Sequence, residues 1–501
     1  MKILMLNPPF LPKFSRFSRS PAVTKSGTLY YPIWHGYATG WLEKHGEDVK
    51  LVDAVADNLS REDCVKIVKD YQPDMVVTYT STPSIYNDVE VAALLKETRP
   101  EALAVLSGTH ATSLPEETLR LNSNIDVIAR KEYDETLVQL AKKLKEGPLT
   151  SDILAMIDGI AFLDKQGQFV QTKDRANLED LDAFPFLADV FKRHLTIENY
   201  FYAHCRYPIM SIFTSRGCYA KCNFCVYPDQ MFGRVHRQRS PQNIVDEFLY
   251  IQKELPQVKE VLIDDDTFSV RPAHTQEFSE LMVKHNVKVP WTAECRANLT
   301  KNTMEAMKKA GCRLIVVGFE SADDQVLKNM LKGMTFNRMK KFVDEAREAN
   351  ILVHACFMAG NIGETKETLE KSLAFAKEVN ADTCQFFPMM VYPGTGAYNW
   401  AKENGYLRST NFRDWLDKDG LHNCVIDLPG LTGEELVAFC DRARREYYLS
   451  PKFLSYKLKY VLKNPKEIKK TAMAARTFAK HLFFPTPQKS SSTSMPSQPT
   501  S

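Results

Sequence analysis

The sequence predicts an α/β protein made of two βα series, a doubly wound parallel sheet first and a six-stranded series second, closed by a helical C-terminal region. Two observations predict it. From residue 1 to about 145, short apolar runs of strand length alternate with amphipathic stretches of helical period, and from Pro208 to about Asn380 the alternation resumes. Such alternation means parallel sheets whose ligands sit at the carboxyl ends of the strands. A length of 501 residues suggests about three domains, and a hydrophobic content of 44% is that of an ordinary globular protein.

The first series has strands at Ile3–Leu6, Val49–Val52, Met75–Thr78, Ala104–Ser107 and Asp126–Ala129 and spans residues 1–145. The loops after these strands are small and polar: Asn7-Pro-Pro, Tyr79-Thr-Ser-Thr-Pro83 and Ser107-Gly-Thr-His110. They form a binding edge, although the G-x-G-x-x-G fingerprint of a dinucleotide fold is missing. Residues 146–207 read as a connector, with a hairpin at Ile160–Leu163 and Phe169–Gln171 around the turn Asp164-Lys-Gln-Gly167. The second series, 208–395, has strands at Ile209–Thr214, Glu260–Ile263, Trp291–Glu294, Leu314–Gly318, Leu352–Ala359 and Thr383–Met389 with helices between. A helical region at 396–485 and a polar tail at 486–501, too rich in Ser, Pro, Thr and Gln to fold, complete the chain.

Composition narrows the function classes. The formal net charge is +3, so no global field favours nucleic acid. Eleven cysteines without regular pairing point to a reducing cytoplasm and against a disulfide framework. The start, MKILMLNPPF, reads as a strand and not as a signal peptide, and no run reaches 18 uninterrupted apolar residues, so no membrane span is expected.

The most informative run is Ser215-Arg-Gly-Cys-Tyr-Ala-Lys-Cys-Asn-Phe-Cys225. Its C-x3-C-x2-C spacing lets Cys218, Cys222 and Cys225 converge on three irons of a cubane from one glycine-led loop, leaving the fourth iron open. A zinc site would need a fourth ligand, and no paired Cys-x-x-Cys or His-x-x-x-His stands nearby. Cys295, Cys312, Cys356 and Cys384 are irregularly spaced and read as buried packing thiols.

At these residues, with Phe224 just before the last cysteine, the chain resembles the radical S-adenosylmethionine (SAM) superfamily. The resemblance implies a [4Fe–4S] cluster whose open iron is chelated by SAM, reductive cleavage of SAM to a 5′-deoxyadenosyl radical, and a partial (β/α)6 barrel formed by the six strands. It also implies a SAM site at the strand ends. Asp264, Asp265 and Asp266 stand where the family meets the SAM amine, and Arg296 and Asn298 where it meets the carboxylate or ribose. Glu320 and Ser321 face the mouth, and Gly360, in Gly360-Asn-Ile-Gly-Glu364, matches a turn that approaches adenine. An N-cap or a solvated turn is the plain alternative for Asp264 or Asp266, and a structural salt bridge for Arg296.

The first domain resembles the cobalamin-binding domain that precedes many radical SAM modules, through MKILMLNPP, Pro32-Ile-Trp-His-Gly-Tyr-Ala-Thr-Gly-Trp-Leu-Glu and Gly108-Thr-His-Ala-Thr-Ser-Leu-Pro-Glu-Glu. This implies cobalamin at the strand ends, with Ser81, Thr82, Gly108 and Thr109 beside it. The D-x-H-x-x-G motif is absent, and His110 reads as a loop histidine satisfied by backbone and not as a cobalt ligand. The alternative is a domain that keeps the fold without the cofactor.

Further wording, Arg239-Ser-Pro-Gln-Asn-Ile-Val-Asp-Glu and Phe387-Pro-Met-Met-Val-Tyr-Pro-Gly-Thr-Gly, resembles members found in hopanoid biosynthesis and the anaerobic Mg-protoporphyrin monomethyl ester cyclases. The resemblance covers about residues 1–450. It implies a cytoplasmic enzyme that C-methylates an unactivated carbon of a lipid or other secondary metabolite, with a flavodoxin or ferredoxin as electron donor. Carbon–carbon or ring formation without methyl transfer is the alternative within the class, and a non-catalytic cobalamin- or cluster-binding sensor the alternative outside it. Residues 452–480 carry eight lysines and Arg476 against Glu467 alone, interleaved with aromatic and aliphatic residues. The stretch 452–484 reads either as a peripheral contact with the inner face of the membrane or as a solvated helix capping the barrel.

Overall fold

The computed structural model describes residues 1–463 and contains two mainly parallel sheets in series. The first sheet comprises β1 (Lys2–Asn7), β2 (Asp48–Asp53), β3 (Met75–Thr80), β4 (Leu103–Gly108), β5 (Val127–Ala129), β6 (Ile160–Leu163) and β7 (Phe169–Gln171). Their spatial order is β2-β1-β3-β4-β5-β6-β7, parallel through β5. β3 and β4 are buried at every residue, as parallel strands covered by helices on both faces must be. The order turns back between β1 and β3, which makes the loops after Asn7 and Thr80 the crevice of the sheet.

The hairpin of the connector does not stand apart. β6 pairs antiparallel with β5, and β7 with β6, extending the sheet to seven strands. β5 is three residues long, and its outer edge would otherwise leave backbone groups unpaired.

The second sheet comprises β8 (Ile209–Ile212), β11 (Glu260–Ile263), β12 (Trp291–Cys295), β13 (Cys312–Glu320), β14 (Leu352–Ala359) and β15 (Thr383–Pro388), adjacent in that order and all parallel. A two-residue antiparallel ladder, β9 (Ser215–Arg216) with β10 (Arg237–Gln238), stands beside it. Helices return the chain between strands, and Thr300, Thr335 and Thr365 start three of them by accepting the N–H three residues on. Each such cap is worth about 1 kcal/mol.

β8 and β15 do not pair, so the barrel is incomplete. Residues 18–30 of the first domain run along this side. Leu29 donates its N–H to Phe201 O just ahead of β8, and Lys25 pairs with Asp441 on the helix Gly433–Tyr448, which packs on β15. The α/β class expected from the alternation and the partial barrel implied by the resemblance are those found.

Candidate active site

The cysteine loop is held at both ends. The β9–β10 ladder closes its base, and Gly217 sits at φ +84°, where an added Cβ would collide with the carbonyl oxygen of Val235. Glycine is required there on both counts. Cys218 and Cys222 are buried and Cys225 half-buried, and with Ala220 and Phe224 they form a small cluster outside the main core. Arg216 ties this loop to the first domain: its guanidinium donates to Glu132 (2.5 Å) and Asp134 (2.7 Å) and lies 4.4 Å from the ring of Phe184. Arg237 donates to the other oxygen of Glu132 at 2.7 Å.

The three consecutive aspartates after β11 divide their work. Asp265 turns back and accepts from the backbone N–H and hydroxyl of both Thr214 and Ser215, which fixes the entry to the cysteine loop. Asp264 accepts from Arg19 at 2.9 Å. Asp266 has a side chain 3% exposed and no hydrogen-bond donor on either oxygen, the nearest cation being Arg19 at 3.6 Å. Arg19 also pairs with Glu294 at 3.0 Å. One guanidinium thus serves three carboxyls. Burial, reinforced by Asp264 and Asp266, pushes Glu294 up to about 8 despite Arg19.

On β13 the backbone bulges between Gly318 and Glu320, where Glu320 adopts φ +67°. Its carboxylate folds back over Gly318 to pair with Lys332 at 2.7 Å, and a side chain at position 318 would occupy the same space. Arg296 lies between this pair and the cysteines, donating to Cys222 Sγ at 3.8 Å and to the carbonyl oxygen of Lys332. Hydrogen bonds to cluster-ligating sulfurs are one of the levers on cluster potential.

Cys218, Cys222, Cys225, Asp266, Arg296 and Glu320 all line one cavity of about 1730 Å3. Ser20, half-buried, joins Tyr392 (3.1 Å) and His422 (2.9 Å) on its wall, and burial keeps His422 neutral by lowering it to about 4.

Two family descriptions match these two regions: a B12 binding domain over residues 19–141 and the radical SAM superfamily over residues 212–376. The chain is a B12-binding radical SAM enzyme. Over 459 residues it is 28% identical to an uncharacterized methyltransferase of Pyrococcus horikoshii, covering 91% of this chain and 94% of that one. The anaerobic magnesium-protoporphyrin IX monomethyl ester cyclase of Cereibacter sphaeroides is 32% identical over 370 residues, 73% of this chain and 59% of the cyclase. Among solved structures, the cobalamin-dependent SAM radical enzyme OxsB superposes with a TM-score of 0.69 at 17% identity over 96% of this chain and 71% of that one. The radical SAM methyltransferase TsrM from Kitasatospora setae gives 0.65 at 18% identity, covering 89% and 90%. These two likenesses show the fold.

The radical SAM and B12-binding domains bring a [4Fe–4S] cluster, SAM and cobalamin as cofactors. The cysteine loop fits a cluster: burial pushes the Cys218 and Cys225 thiols up, so a metal centre is needed to draw them to thiolates. Among the described residues no group of three His, Cys, Asp or Glu is placed to hold a single metal ion. Thiolates on a cubane each take a different iron and stand farther apart than the ligands of one ion. The mouth fits SAM as well, since Asp266 offers a buried carboxylate with no donor, and the surplus of acid over Arg19 suits a cationic sulfonium and ammonium.

The carboxyl edge of the B12-binding domain is closed over by the chain itself. Arg16 enters it fully buried, pairing with Asp88 (2.9 Å) and donating to Pro8 O, while Phe17 stacks on Tyr79 at 3.9 Å. Phe412 covers the ring of His110 at 4.7 Å. Ser81, Thr82, Gly108 and Thr109 are all buried and none lines the cavity. Gly108 is required because a Cβ would strike Thr80 O, and Thr82 is spent on His110 at 3.2 Å. A corrin at this edge requires the loop bearing Phe412 to stand aside, so no residue is assigned to it.

Several expected contacts fall elsewhere. Asp264 and Asp265 face Arg19 and the loop entry, and Asn298 is exposed with its amide donating to Tyr219 Oη at 3.3 Å. Ser321 caps the next turn through Asp323 N–H, and Gly360 belongs to a turn closed by Glu364. The sequence reading missed Arg19, Lys332, Glu132 and Asp134. Arg19 meets its partners across 245 positions, and no local spacing signals that. Glu132 and Asp134 stand in the charged run Arg130-Lys-Glu-Tyr-Asp-Glu, and their acidity is the available signal.

Proposed function

We propose that this enzyme reductively cleaves SAM at a cluster on Cys218, Cys222 and Cys225 and replaces a hydrogen on an unactivated carbon of a largely apolar substrate, a lipid or other secondary metabolite, with a methyl group. The carrying observation is that the three cysteines, the donor-free carboxylate of Asp266 and Arg296 line one cavity at the carboxyl ends of the barrel strands. Per turnover, one substrate C–H, two SAM and two electrons become substrate C–CH3, methionine, 5′-deoxyadenosine and S-adenosylhomocysteine, the substrate hydrogen ending in 5′-deoxyadenosine. A flavodoxin or ferredoxin supplies the electrons. The cluster, when bound, delivers one electron to the sulfonium.

The residues do the rest. Asp266 takes the SAM ammonium, Arg19 offsets the mutual repulsion of Asp264, Asp266 and Glu294, and Arg296 screens Cys222. The segment 18–30 walls the open side of the barrel and excludes water from the radical. Similarity to a methyltransferase across nearly both full lengths supports methylation.

Ring or carbon–carbon bond formation without methyl transfer is the second reading. The covered B12 edge and the likeness to the cyclase favour it. Anaerobically reconstituted, reduced protein should form 5′-deoxyadenosine from SAM, and Cys218→Ala, Cys222→Ala or Cys225→Ala should abolish it with the fold retained. Stoichiometric zinc without cubane absorption would sink the proposal. Comparing lipids and metabolites of a deletion strain with its parent separates the readings. A lost species heavier by one CH2 than its precursor means methylation, and a lost species lighter by two hydrogens means ring closure.

A further inference from the structure

The barrel interior is not packed shut. On β13 every second residue, Leu314, Val316, Gly318 and Glu320, lines the cavity, and on β14 Leu352, His354, Cys356 and Met358 do the same. Strand alternation puts each set on one face, so the cavity follows these strands over on the order of 20 Å. In a closed barrel that space is filled by layers of large side chains. Here the small side chain of Cys356 stands at its middle.

Charge gathers at the two ends of this passage. Asp266, Glu294, Arg296, Glu320 and Lys332 belong to the cluster end already described. Toward the amino ends of the strands Leu255, Val258, Val289, Leu314 and Leu352 line it, together with Arg313 and the stacked rings of His204 and His354, and it then reaches solvent. Tyr207 (47% exposed), Leu454 (52% exposed), Lys259 and Lys288 both line the cavity and face water, so it has a second mouth there. The acid in that lining, Asp382, is already engaged by the Val353 N–H and the Tyr456 hydroxyl. The rim is therefore basic.

The C-terminal helix Pro451–Lys463 borders this mouth. Phe453 is buried against Tyr447 and Tyr448 and fixes the helix to the body. Its other side shows Leu454, Leu458 and Leu462 at intervals of four, the last two 62% and 71% exposed, among the exposed Lys452, Lys459 and Lys463. Leucines ringed by lysines complement the interface of an anionic bilayer.

We infer that the passage takes a long hydrocarbon chain with an anionic head group, admitted through the second mouth from a bilayer on which this helix lies. The inference rests on the proposed reading of the cluster end. Lys259 and Lys288 hold the head group at the rim, the apolar residues of the lining hold the chain, and its far end reaches the cluster end of the cavity. The carbon that reacts is then remote from the head group.

Full-length protein with reconstituted cluster tests this with palmitate, octanoate and vesicles. Palmitate should bind at least about tenfold tighter than octanoate. Leu314→Trp, which narrows the passage toward its amino-end mouth, should weaken palmitate about tenfold while cluster absorbance stays. The surface pair Lys259→Glu and Lys288→Glu, which cannot disturb the core, should weaken it too. Wild type should sediment with phosphatidylglycerol vesicles and not with phosphatidylcholine vesicles, and Leu458→Asp with Leu462→Asp should abolish this. Equal binding of the two acids, palmitate binding untouched by Leu314→Trp, or no sedimentation of the wild type with phosphatidylglycerol overturns the inference. Loss of 5′-deoxyadenosine formation by the wild type would instead overturn the reading it rests on, since palmitate binding does not depend on SAM cleavage.

Discussion

Arg19 reaches from the B12-binding domain into the barrel mouth and bonds both the carboxylate of Asp264 (2.9 Å) and its backbone carbonyl (2.8 Å). The contact makes the first domain part of the mouth of the barrel. Whatever shifts the segment around Arg19 shifts the charge balance of Asp264, Asp266 and Glu294.

The raised Glu294 predicts a pH dependence of stability. Its value climbs from an ordinary 4.5 to about 8, chiefly through burial. A raised carboxyl adds stability that is full below the unfolded value and is lost as pH rises through the folded one. Thermal unfolding should therefore show the wild type more stable near about pH 5 than near about pH 9, by on the order of 2 kcal/mol, and Glu294→Gln should flatten that slope.

Gly217→Ala should lose the cluster while keeping the fold. The new Cβ meets Val235 O at a positive φ, which costs on the order of 1–3 kcal/mol locally. Far-ultraviolet circular dichroism should stay as in the wild type, and cubane absorption should drop.

Arg216→Lys should loosen the joint between the domains. A lysine cannot reproduce the fork to Glu132 and Asp134, and both acids stay buried. The expected loss is about 3 kcal/mol in denaturant unfolding, with faster proteolysis in the loop Gly217–Cys225.

Phe412→Ala should open the B12 edge. Removing the ring over His110 exposes the crevice beside Thr82 and Gly108, so hydroxocobalamin uptake, followed by absorbance, should quicken about tenfold. His110→Ala should leave the cobalamin spectrum unchanged, because the imidazole is spent on Thr82 and burial lowers it to about 3. A nitrogen-ligand signature that vanishes in His110→Ala would make His110 the cobalt ligand.

The α/β class, the two βα series and the three cysteines were legible in the sequence because each is written locally, as a period of apolar residues or a spacing within one loop. The spacing within the eleven residues from Ser215 to Cys225 singled out the cysteine loop, and the structure added why glycine is required at 217. Tertiary structure alone decided which of three adjacent aspartates faces the cavity, since Asp264, Asp265 and Asp266 look alike in sequence and are sorted by Arg19, Thr214 and Ser215. It also decided that the helix at 451–463 borders an opening of the barrel, whereas 464–484 of the stretch read as a membrane contact lies outside the described residues. The physical reason is common to both. A charge in a cavity is defined by what surrounds it, and its neighbours come from strands and loops far apart along the chain.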